Sequence, residues 1–90
     1  MDENLSLLTK RPVTVKGAII QKLARQWPLS IKQLHTSLMR EFGIAVTYQA
    51  VHKTINSLEE DQIVSRYGSG YHLNNNWIQN ITQLSNQILH

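Results

Sequence analysis

Apolar residues recur at helical spacing in four stretches of this chain. Ala18, Ile19, Ile20, Leu23 and Ala24 form the first set, and Ile31, Leu34, Leu38 and Phe42 the second. Val51, Ile55 and Leu58 fall at i, i+4 and i+7, and Trp77, Ile78, Ile81, Leu84, Ile88 and Leu89 complete the series. The spacing predicts four helices, each with one apolar stripe turned to a shared core. Between the third and fourth, Gln62 to Tyr67 reads as a strand. Gly68-Ser69-Gly70 reads as a tight turn and Tyr71-His72-Leu73 as the return strand.

The polar residues at the helix ends agree with this division. Thr14 is placed to cap the first helix, and Pro28 ends it by biasing Trp27 away from helical geometry. Trp27 is expected to fold back into the core. Leu29-Ser30 can supply a very short strand. Ser30 and Gln33 then form a capping box, with Leu29 and Leu34 at the spacing of a hydrophobic staple. Gly43 fits the left-handed position that closes the second helix. Thr47 starts the third helix, with Val46 and Val51 again at staple spacing, and Asn74-Asn75-Asn76 supplies a cap for the last. Residues 1–12, with Leu5, Leu7, Leu8 and Lys10-Arg11-Pro12, read as a loose basic arm. Residues 13–78 read as one domain and 75–90 as a C-terminal helix. The predicted fold is mainly α with a small β-hairpin (α+β). Three core helices, a two-stranded wing and a C-terminal helix make a winged helix-turn-helix.

Ninety residues suffice for one small domain, in which about 60–65% of the unfolded surface becomes buried. The chain has no cysteine, which excludes a disulfide framework and a thiolate metal site. No run approaches the ~18 apolar residues of a membrane span, and the acidic start Met-Asp-Glu-Asn is unlike a signal peptide. A cytoplasmic, nucleoid-associated protein is expected, with no membrane partner. The net charge of +3 is mild but unevenly placed. Between Asn4 and Arg40 there are seven cations and no acid, and from Tyr67 to His90 there is no charged residue at all. A basic half on a small domain suits a polyanion.

The third helix carries the candidate chemistry. With Val51, Ile55 and Leu58 inward, Tyr48, Gln49, His52, Lys53 and Asn56 share the outward face. Gln and Asn can pair bidentately with adenine, Lys can reach guanine or phosphate, and the Thr47 and Tyr48 hydroxyls can hold phosphates. This face has no acid before Glu59, whereas idle helix faces usually carry Glu–Lys pairs. The acids at Glu59-Glu60-Asp61 would keep the far end of the helix away from phosphate. At the hairpin tip, Arg66 and Ser69 are expected to touch backbone or minor groove, within a wing spanning 66–72. Lys32, on the second helix, is grouped with them. The last helix has Trp77, Ile81, Leu84 and Ile88 at spacings of 4, 3 and 4, a coiled-coil-like seam. Trp77 is expected to anchor on its own domain while Ile81, Leu84 and Ile88 meet a second copy in a homodimer. His35, His52, His72 and His90 have no metal-ligand spacing, there are no paired carboxylates beside them, and no phosphate loop is present. No enzyme activity, metal or cofactor is expected.

Residues 46–66, V-T-Y-Q-A-V-H-K-T-I-N-S-L-E-E-D-Q-I-V-S-R, and 68–78, G-S-G-Y-H-L-N-N-N-W-I, carry a resemblance. Across roughly residues 14–78 the chain resembles the winged helix-turn-helix transcription regulators of bacteria and archaea, the broad MarR/ArsR/PadR-like class. It departs at Gln62, near where that class usually has glycine. The resemblance implies a sequence-specific regulator of double-stranded DNA, with helix 47–60 in the major groove. It implies contact by Tyr48, Gln49, His52, Lys53 and Asn56, and by Arg66 in the wing. A dimer of this kind would meet half-sites about 34 Å apart or a multiple of that. Two alternatives stand beside it: a winged-helix protein–protein adaptor, and the DNA-binding N-terminal part of a longer effector-sensing regulator.

Overall fold

Each helix begins where a side chain accepts one of the first free amides. Thr14 Oγ1 accepts from Gly17 N at 3.0 Å, and Thr47 Oγ1 accepts from Ala50 N at 3.0 Å. Ser30 Oγ accepts from Gln33 N at 3.1 Å while Gln33 Oε1 accepts from Ser30 N at 2.8 Å, the reciprocal capping box. Asn74 Oδ1 takes the amides of Asn76 and Trp77. These caps start α1 (Val15–Arg25), α2 (Ile31–Glu41), α3 (Tyr48–Glu60) and α4 (75–81) in a computed structural model that describes residues 14–81. The hairpin β1 (Val64–Tyr67) and β2 (Gly70–Leu73) lies between α3 and α4. The architecture is mainly helical with one two-stranded antiparallel sheet, laid out as a winged helix. The arm at 1–12, and Leu84 and Ile88, lie outside the described residues.

Two helices end in the left-handed conformation, one with the expected residue and one without it. Gly43 has φ 65° and leaves Ile44 N to donate to Leu38 O at 2.9 Å. Gln62 has φ 60°. Around it Ile63 N donates to Leu58 O and Gln62 N to Glu59 O, the paired bonds of a Schellman closure. Gln62 and Ile63 therefore belong to the helix end, and the strand starts at Val64 rather than at Gln62.

The hairpin pairs Val64 with Leu73, Ser65 with His72, Arg66 with Tyr71 and Tyr67 with Gly70. Its loop is two residues, Gly68-Ser69, with the positive φ at Gly68 that a II′-type turn needs. Gly70 is a strand residue, not part of the turn. Leu29 adds a third, minimal strand: Leu29 N donates to Tyr71 O at 3.2 Å and Tyr71 N to Leu29 O at 2.9 Å. A Cβ on Gly70 would stand 3.0 Å from three Leu29 backbone atoms, so a larger residue would push the two chains a few tenths of an ångström apart.

Ile19, Leu23, Leu34, Leu38, Val51, Ile55 and Leu58 form the centre of the core, closed on the wing side by Val64, Tyr71 and Leu73. Each such side chain contributes about 1.5–3 kcal/mol by leaving water. The stripe on α1 is narrower than its apolar residues suggest: Ile20 is half-buried and Ala24 exposed. Trp27 departs further, being 55% exposed. The two Leu29–Tyr71 backbone bonds run this segment alongside β2. Trp27 consequently lies against the outer surface of the wing, 5.7 Å from the Tyr67 ring and 5.6 Å from His72.

Candidate nucleic-acid interface

Three fully buried residues on α3, Val51, Ile55 and Leu58, fix which side of the helix faces out. Tyr48, Gln49, His52, Lys53 and Asn56 are all exposed and together line a shallow hollow of about 400 Å³. The five residues predicted from helical periodicity are thus brought onto one surface. Within it Asn56 Nδ2 lies 3.3 Å from His52 Nδ1. When the amide donates there, the ring proton sits on Nε2. Asn56 keeps its second N–H and its oxygen, the two atoms that pair with an adenine edge.

The first turn of α3 is open to an anion. Thr47 Oγ1 accepts from Ala50 N and retains its own O–H as a donor. Among the residues that sequence did not single out, His35 on α2 bears most directly on this turn. Its Nε2 lies 2.8 Å from the carbonyl oxygen of Val46, and its ring stands edge-on to Tyr48 at 6.2 Å. His35 thereby holds the residue before the cap and touches the residue after it. A lone polar residue beside a helix stripe gives no signal of such a contact.

The cations are distributed unequally. Lys32 lies exposed on the first turn of α2, beside a hollow of about 350 Å³ between α1 and α2, and does not line the α3 hollow. Lys22 is engaged: its Nζ is 2.7 Å from Glu41 Oε2, joining α1 to α2. The Lys22 hydrogen bond, and beyond it the charges of Lys22 and Arg25, hold the Glu41 carboxyl below the usual carboxylate range. In the wing, the exposed Arg66 lies 5.6 Å over Tyr71, with Nε 3.9 Å from Glu59 Oε2. At that distance and exposure the pair contributes little. Ser69 is exposed at the tip, where Arg66, Gly68, Ser69, Gly70 and Tyr71 line a niche of about 40 Å³.

On the other side of the domain Ile20, Ala24, Leu73, Trp77, Ile78 and Ile81 line an apolar groove of about 390 Å³. Trp77 packs against the core, whereas Ile78 and Ile81 remain 39% and 44% exposed. Ile78 and the two α1 residues were not part of the predicted seam. Among the described residues no three His, Asp or Glu side chains cluster as metal ligands. None of the described helices is long and apolar enough to cross a membrane. No protein-family model, curated protein or solved structure matches the chain.

Proposed function

We propose that this domain is a sequence-specific double-stranded DNA-binding transcription regulator that reads the major groove with α3. The observation that carries the reading is the outward face of α3. Tyr48, Gln49, His52, Lys53 and Asn56 stand together in solvent, acid-free, on a helix whose opposite face is fully buried. Base-reading groups are Gln49 and Asn56; Thr47, Tyr48, Lys53 and Lys32 serve phosphates, and His52 orients Asn56. Arg66 and Ser69 at the wing add a backbone contact beside the groove. This assignment extends the winged helix-turn-helix resemblance of residues 14–78 to function.

A second copy completes the regulator in this reading. The α1–α4 groove is apolar and free of charge, and the seam of Trp77 and Ile81 continues in sequence as Leu84 and Ile88. A two-fold dimer would meet a near-palindromic site. Titration of random-sequence duplex DNA at low and moderate salt tests the proposal. Affinity that falls log-linearly with salt supports phosphate contact, and selection from a random library then yields the preferred site. Absence of duplex binding at both salts removes the DNA reading and leaves the apolar groove as the working surface of a protein adaptor.

A further inference from the structure

The α3 reading leaves one group of exposed rings unused. Trp27, Tyr67 and His72 meet on the outer surface of the wing, away from the core, with ring centres 5.4–5.7 Å apart. Trp27 and Tyr67 are each 55% exposed despite touching one another. Their planes cross at 81°, which makes an open right-angled corner. Among the described residues, the Trp27 indole N–H, the Tyr67 hydroxyl and the His72 ring make no hydrogen bond. A flat ligand with a polar rim fits such a corner better than an aliphatic helix, which would leave those three polar groups unsatisfied.

The neighbouring residues extend the description from a ring to a nucleotide. Leu29 bridges to β2, so β1 is the open edge of the sheet. Arg66 and Tyr67 are adjacent on that edge strand and point to opposite faces. Arg66 stands with Tyr71 beside the glycine niche of the tip, and Tyr67 stands in the aromatic corner. A ligand straddling β1 meets a ring on one face and a guanidinium on the other. From Tyr67 to His90 no acid opposes it. Glu59 reaches Arg66 only at 3.9 Å, and the Arg66 side chain is itself 70% exposed, so a phosphate can displace the contact.

From this juxtaposition we infer that the wing is a second nucleic-acid site, binding an unpaired nucleotide of single-stranded DNA. The base stacks on Tyr67 against Trp27, and the phosphate lies at Arg66 and the Gly68-Ser69 turn. Ring stacking with a nearby cation is how sequence-tolerant single-strand sites are built. The stacking rings Trp27 and Tyr67 stand apart from the α3 face, whereas Arg66 and Ser69 are wing residues that the duplex reading also uses.

The test is anisotropy of a labelled oligothymidylate titrated with wild type, Tyr67→Ala and Tyr67→Phe, beside a duplex of the same length. Tyr67 is exposed and outside the core, and circular dichroism checks that each variant folds. Wild type should bind the oligothymidylate, Tyr67→Ala about 5- to 100-fold more weakly, and Tyr67→Phe nearly as wild type. In Trp77→Phe, Trp27 is the sole tryptophan, and its emission should be quenched on saturation with the same oligomer. Binding of duplex without oligothymidylate overturns this inference and keeps the α3 reading; binding of oligothymidylate without duplex does the reverse. Equal affinity of wild type and Tyr67→Ala also overturns it, and leaves Trp27 as a brace for the hairpin. An oligouridylate arm that binds more tightly than oligothymidylate reassigns the site to RNA and overturns its DNA specificity.

Discussion

His35 Nε2 donates to the carbonyl oxygen of Val46 across 2.8 Å, tying α2 to the last residue before the cap of α3. The bond fixes the neutral ring as the Nε2–H tautomer and anchors the connector that delivers Thr47 and Tyr48 to the surface. Replacing His35 by Ala leaves the half-buried Val46 carbonyl without its partner, at a cost of about 0.5–1.5 kcal/mol. His35→Gln, whose amide nitrogen reaches a similar distance, should recover most of it. Thermal melts of the three proteins check this; a Gln variant as unstable as the Ala variant would show that the ring edge against Tyr48 matters more than the bond.

If α3 reads DNA as proposed, its side chains should divide by chemistry. Gln49→Ala or Asn56→Ala should cost about 1–3 kcal/mol on a selected site and much less on random duplex. Lys53→Ala should weaken both equally and lower the salt slope by roughly one unit. Equal losses on both DNAs for Gln49→Ala would place that residue on the backbone instead. His52→Ala frees the Asn56 amide and should reproduce part of the Asn56 effect.

The Lys22–Glu41 bridge makes stability depend on acid. Because the folded carboxyl titrates below its ordinary value of 4.5, its contribution is full above that value and drains away as pH falls through the folded one. Glu41→Gln should therefore melt below wild type at neutral pH and match it in strong acid. The Glu41 side chain is open to solvent but the Lys22 side chain is only 12% exposed, so added salt should shrink the difference only in part. A gap that persists in strong acid would assign the effect to packing rather than charge.

Gln62 offers a stabilising change. A non-glycine residue in the left-handed region costs about 1–2 kcal/mol, partly offset because glycine is more mobile when unfolded. Gln62→Gly should raise stability by about 0.5–1 kcal/mol, a gain of several degrees in a domain this small. Gln62→Val should do the opposite. Denaturant melts at equal slope decide it, since Gln62 is exposed and buries nothing in either variant.

The parts of the fold legible in sequence are those governed within a few residues. Thr14, Ser30 with Gln33, and Thr47 cap helices through partners three positions away, and Val51, Ile55 and Leu58 orient α3 by periodicity alone. The outward face of α3 followed from that orientation. What sequence left hidden depends on residues far apart in the chain. Trp27 reads as a core residue until Leu29 is seen to bond Tyr71, and His35 reads as an idle polar residue until Val46 is seen beside it. Gln62 reads as a strand residue because a left-handed helix end is usually marked in sequence by glycine, and here the position with φ 60° is glutamine.

The apolar groove sets the assembly prediction. Ile81 and Ile78 remain substantially exposed beside Ile20 and Ala24, so their burial is available to a second copy. Burying one such side chain on each of two subunits is worth about 1.5–3 kcal/mol apiece, enough for two or three residues to hold a dimer. Ile81→Lys should give a folded monomer by light scattering, with weaker duplex binding because the two half-sites are no longer linked. Trp77→Ala should behave differently, lowering thermal stability itself, since Trp77 packs on the domain's own core. A wild type already monomeric at tens of micromolar removes the dimer. An Ile81→Lys protein that fails to fold would instead make α4 part of the core, and the milder Ile78→Ser, on the same exposed stripe, then reports on assembly without that ambiguity.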